Sequence, residues 1–120
     1  MRMTFRRFAV IAAIAALLSG CGQPVPPEKA AYVGEWRAGM MVLAITQDGT
    51  VHYKREKGGG STSIDAPLRG FDGDNFSVGV GLLGTTFVVS KPPYLDGYTW
   101  KMVVDGVELT RTEQGSGQQI

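Results

Sequence analysis

The residues able to do covalent or acid–base chemistry are few. The 120-residue chain contains one cysteine, Cys21, and one histidine, His52. His52 stands between Val51 and Tyr53 in an alternating run, which puts it on the solvent face of a strand rather than beside a nucleophile. A metal site would need clustered histidines and carboxylates that the sequence lacks. Asp72 and Asp74 flank Gly73 like the start of a calcium loop, but too few oxygen ligands follow, so they read as turn formers. Gly58-Gly59-Gly60 is followed by neither a Gly-Lys-Ser end nor a helix, which excludes a phosphate loop. Trp36, Trp100, Phe76 and Phe87 are expected in the core rather than around a ligand. These readings predict no enzymatic centre, no metal and no cofactor. A lone cysteine cannot form a disulfide within its own chain.

The segment before Cys21 is built for targeting. Arg2, Arg6 and Arg7 form a basic start without acidic residues, and Phe8 to Leu18 is an uncharged apolar run of eleven residues. A mature membrane-spanning helix needs about 20, so this run fits the apolar region of a signal peptide. An ordinary secretory signal wants small residues at −1 and −3 of its cleavage point, and Leu18 sits poorly at −3 of Cys21. Leu18-Ser19-Gly20-Cys21 resembles the lipobox of bacterial lipoprotein signal peptides. That resemblance implies cleavage before Cys21, acylation (palmitate among the chains) of its thiol, and a protein attached to the cell membrane or outer membrane with its domain outside the cytoplasm. By the sorting pattern of that family, Gly22 in place of Asp implies the outer membrane in a Gram-negative host.

Residues 1–20 therefore read as a signal peptide, and 100 residues remain, enough for one small domain. Three of the twelve basic residues leave with the signal. Nine then face eleven acidic residues, a net charge of about −2 in place of +1. No basic cluster stands out, so a nucleic-acid partner is not expected. With no disulfide, packing alone must hold the domain.

Residues 21–31 read as the acylated cysteine and a Pro-rich tether. Pro24, Pro26 and Pro27 favour polyproline II at about 3.1 Å per residue, a spacer of up to about 30 Å. The domain is expected over 32–112 and a disordered polar tail over 113–120. No window of the domain shows a helical apolar period. Short alternating runs rich in Val, Thr, Tyr and Phe are cut by Asp-Gly pairs instead, the pattern of an antiparallel all-β fold.

Two hairpins can be placed in register. Around Asp48-Gly49, a three-residue loop with Gly49 left-handed pairs Ile45 with Val51 and Leu43 with Tyr53. This gathers the apolar residues on one face, which a two-residue loop would not do. Around Asp105-Gly106, a two-residue turn pairs Val104 with Val107, Met102 with Leu109 and Trp100 with Arg111. Other strands are expected at about Val33–Arg37, Thr62–Leu68, Asn75–Gly81 and Thr85–Ser90. Turns fall at Asp72–Asn75 and Gly81–Gly84. Lys57–Ser63 reads as a flexible connection, and Lys91–Gly97 as a long loop exposing Tyr94 for interaction with a partner.

About eight short strands in this length predict a small antiparallel β-barrel or a strongly curled meander, because closure removes edges. Gly34-Glu35-Trp36 on the first strand and Arg111 on the last resemble the lipocalin and calycin pattern, in which a G-x-W and a late arginine close the barrel base. The resemblance implies closure roles for Trp36 and Arg111, though Arg111 also faces Trp100 across its own hairpin. The function expected is a membrane-anchored envelope lipoprotein acting as a small β binding module. The alternatives are a lipocalin-like carrier of a small apolar ligand, or an inhibitor of a cell-wall hydrolase, a class whose characteristic cysteines are missing here.

Overall fold

A computed structural model describes residues 22–112. Nine antiparallel strands form one curled half-barrel sheet: β1 (Gly34–Ala38), β2 (Met41–Ile45), β3 (Thr50–Lys57), β4 (Gly60–Asp72), β5 (Asn75–Val80), β6 (Leu83–Phe87), β7 (Val89–Asp96), β8 (Thr99–Val104) and β9 (Val107–Arg111). The order across the sheet is β6-β5-β4-β3-β2-β1-β9-β8-β7. The two outermost strands, β6 and β7, are consecutive in sequence and separated only by Val88. The chain that leaves one end of the sheet thus enters the other. Asn75 Oδ1 accepts a hydrogen bond from Val89 N (2.8 Å) across that seam.

Both Asp-Gly hairpins adopt the register that the apolar alternation demands. Ile45 faces Val51 and Leu43 faces Tyr53, with Gly49 at φ +91°. Val104 faces Val107 and Met102 faces Leu109, with Asp105 at φ +49° as a two-residue primed turn requires. In the first loop the Thr46 hydroxyl donates to Asp48 and holds that carboxyl below its ordinary value. The inward residues of these strands meet Phe76, Val78, Phe87 and Leu68 in one continuous core. Phe76 stacks on Phe87 at 5.0 Å, and Tyr53 meets Phe87 edge-on at 5.0 Å. Trp36, Leu43, Val51, Met102 and Leu109 are completely buried, so side chains fill the interior.

Four expectations are corrected. Residues 22–31 are not a free spacer but part of the domain. Gln23 N donates to Leu68 O (3.0 Å), Val25 N to Gln47 O (3.0 Å), and Gln47 Nε2 returns a bond to Val25 O (2.9 Å). Val25 is 2% exposed. Gly49 permits this docking, since a Cβ there would stand 2.1 Å from Gln23 O. The prolines then serve the 3-10 helix Pro27–Tyr32, where Pro27 at the first position supplies a preset φ and omits an N–H that would have no partner.

Lys57–Ser63 is likewise no flexible connection. Lys57 pairs with Gly60, so Gly58-Gly59 form a two-residue turn and β4 begins at once. Strand β4 is 13 residues long because it changes neighbour, pairing with β3 up to Pro67 and with β5 from Leu68.

Lys91–Gly97 is not a loop either. Most of it is β7, an outermost strand, where Pro92 and Pro93 are tolerated because register shifts between Val89 and Lys91 and between Lys91 and Tyr94 remove them from the ladder. The fourth correction is the strand count: nine strands replace about eight, because Val88 divides one extended stretch between two neighbours.

Candidate functional site

One end of the half-barrel is assembled from β1, β9, β8 and the 3-10 helix. Trp36 on β1 is directly opposite Arg111 on β9. The Arg111 guanidinium stands 5.8 Å from the Trp36 ring centroid and 5.2 Å from that of Trp100, so one cation serves both indoles. Gly34 gives the arginine its route: a Cβ at this position, with φ +141°, would lie 2.8 Å from Arg111 Cδ. The glycine and tryptophan of the G-x-W thus act on the same side chain. Trp36 Nε1 donates to Tyr32 O (2.9 Å), which ties the indole to the helix beneath it.

The helix extends these contacts toward the β4–β5 turn. Tyr32 Oη donates to Asp74 O (2.8 Å), and Phe71 and Phe76 meet its ring edge-on at 5.0 and 6.2 Å. Burial and the nearby Asp74 carboxylate push the Tyr32 phenol up to about 12. Lys29 Nζ donates to Gly73 O (2.8 Å), pairs with Asp74 Oδ1 (3.7 Å) and lies over the rings of Tyr32 and Phe71. Asp72 ends β4, and Asp74 lies in the β4–β5 turn. Every group in this constellation is held by its neighbours, which makes it a structural plug.

His52 is exposed on the outer face of β3, and its Nδ1 lies 2.7 Å from Oδ1 of the cross-strand residue Asp65. Tyr94 is half-buried on the outer face of β7. Its hydroxyl donates to Glu108 Oε2 (3.1 Å), and Lys101 reaches both Asp96 (3.1 Å) and Glu108 (3.8 Å). The hydrogen bond to Asp96, with Glu108 close by, raises the Lys101 ammonium above its ordinary value. Loss of solvent and the bond to Glu108 raise the Tyr94 phenol. Tyr94 is therefore engaged in a lateral network rather than displayed on a loop. The displayed aromatic is Tyr98, at the β7–β8 turn with Leu95 exposed close by. Its position after Asp96-Gly97 is the sequence signal that marks it.

Cys21 lies outside the described residues. Gly22, its neighbour, lines an open cleft with Gln23, Pro67, Leu68, Arg69, Gly79, Val80 and Gly81. Beyond that cleft projects the β5–β6 turn, where Val80, Leu82 and Leu83 are 67%, 103% and 78% exposed. Sequence reasoning passed over these residues, because a Gly-Leu-Leu-Gly turn marks a reversal of the chain without saying what lies beside it. Among the described residues, no group of three or more His, Cys, Asp or Glu is placed to hold a metal ion. Comparison of the chain with protein-family models, with curated proteins and with solved structures finds no match.

Proposed function

We propose that the protein is a bacterial envelope lipoprotein, anchored through acylated Cys21, whose β domain acts as a small binding module outside the cytoplasm. The observation that carries the anchor is the ordered pattern of Arg2, Arg6 and Arg7, the apolar run Phe8–Leu18 and the Leu18-Ser19-Gly20-Cys21 match. Among the described residues no helix is long and apolar enough to cross a membrane. The paired roles of Gly34, Trp36 and Arg111 support kinship with the lipocalin-like closure pattern. The filled interior favours recognition at the surface over carriage of an apolar ligand, which would need a cavity of several hundred Å³ that encloses it.

Within this reading Leu95 near the end of β7 and Tyr98 in the β7–β8 turn form the contact surface for an envelope protein, since an exposed aromatic on a rigid scaffold is an efficient recognition element. Cys21→Ser, expressed in a bacterial host with labelled fatty acid, tests the anchor. The variant should take up no label and remain an uncleaved precursor. Labelling equal to that of the parent chain contradicts the reading.

A further inference from the structure

We propose that the β5–β6 tip is a membrane-contact element: Val80, Leu82 and Leu83 enter the interfacial layer of the bilayer to which Cys21 is attached, and Arg69 binds a lipid phosphate there. This rests on the reading of Cys21 as acylated. The first support is where the chain enters the domain. Gly22 and Gln23 line the same cleft as Val80 and Gly81, and Gly22 is the residue that follows Cys21 in the chain. Because Gln23 and Val25 are bonded into the domain, no spacer separates the anchor from this face. The residue that follows the proposed anchor and the apolar tip thus border one cleft.

The second support is the chemistry of the tip. Three large apolar side chains project from one turn, and a second open groove beside them is lined by Ile64, Ala66, Val78 and Thr85. No carboxylate lines either cleft. The one charged residue is Arg69, the extra residue of the β-bulge between Leu68 and Gly70. Bulges re-aim side chains, and here the guanidinium reaches the hairpin, where a Cβ on Gly84 would lie 2.8 Å from its Nη1. Among the described residues no carboxylate pairs with Arg69. A planar guanidinium beside exposed leucines matches a phosphate lying above acyl chains. A two-residue turn is far smaller than the roughly 1,200 Å² that a stable protein interface buries, which favours lipid over a second copy.

The test uses the full chain, acylated in its host, carrying Leu82→Cys. Acylation leaves this as the only free thiol, and Leu82 is fully exposed, so the change costs no packing. A polarity-sensitive fluorophore on that thiol, in vesicles of phosphatidylethanolamine and phosphatidylglycerol, should shift to the blue and be quenched by shallow nitroxide lipids. The same probe at Ser61→Cys, about 20 Å along β4 from Leu68, should remain in water. Arg69→Glu should lower the ratio of docked to free tip about fivefold on these anionic vesicles. A water-exposed probe at position 82 on a vesicle-bound, acylated chain overturns the inference and leaves the anchor standing. A blue shift that follows protein concentration and ignores the lipid quencher overturns it in favour of self-association. Labelling of two thiols rather than one shows Cys21 to be unacylated, and the anchor reading then falls with this inference.

Discussion

Arg111 stands over two indoles, and its contribution can be separated from that of Gly34. Arg111→Ala removes a cation from two indoles and should destabilise the domain by about 1–2 kcal/mol in denaturant unfolding. Gly34→Ala combines a strained φ of +141° with a Cβ that meets Arg111 Cδ at 2.8 Å and should cost about 1–3 kcal/mol. In a double-mutant cycle the Gly34→Ala cost should shrink once Arg111 is alanine, because the steric part disappears and only the backbone strain is left. Additive costs would show that the two residues act independently. Tyr32 adds a test by pH. Its phenol is raised from an ordinary 10.0 to about 12, so between these values the folded state keeps a proton that the unfolded chain has released. The stability linked to this proton is fully present below about pH 10 and is lost as pH climbs toward 12. Tyr32→Phe should remove this alkaline loss, and phenolate absorbance should show one fewer late-ionising tyrosine in the variant than in the parent chain, since Tyr94 is raised in both.

At the scale of elements, the segment Gly22–Tyr32 separates a docked strap from a tether. Val25→Ala should lower stability by about 1–3 kcal/mol because the side chain is buried. Substitution in a free spacer would leave the unfolding midpoint unchanged. The error in reading this segment from sequence has a physical origin. Pro24, Pro26 and Pro27 report local backbone preference, whereas the docking bonds go to Gln47 and Leu68, over 20 and 40 residues away. The Asp-Gly hairpins were legible for the opposite reason: a one-residue slip would turn Leu43, Ile45, Val51 and Tyr53 out of the core, so the apolar pattern admits a single register. Strand β7 was not legible, since its register shifts break the alternation that identifies a strand and Pro92-Pro93 imitate a loop. Of the candidate site residues, Trp36 and Arg111 could be placed because each lies on the apolar face of an alternating run. Tyr94 was misplaced with β7, and the β5–β6 tip could not be foreseen, because its significance comes from lying beside Gly22.

For the molecule as a whole, the described residues form one half-barrel that displays large apolar groups at its β1–β2, β5–β6 and β7–β8 turns. The β7–β8 turn is the one assigned to a protein partner. Tyr98→Ala should therefore reduce capture of crosslinked envelope proteins while the thermal midpoint stays within about 2 °C, as suits a fully exposed side chain. Tyr94→Ala should instead disturb the network with Glu108 and Lys101, and capture should follow it only through that disturbance. Everything said of location depends on Cys21, and the intact mass of the chain recovered from bacterial membranes tests it most directly. The account predicts a polypeptide that begins at Cys21 and carries a diacylglyceryl adduct on the thiol. A mass corresponding to a chain that retains residues 1–20, or to one cleaved elsewhere with the Cys21 thiol free, would contradict it.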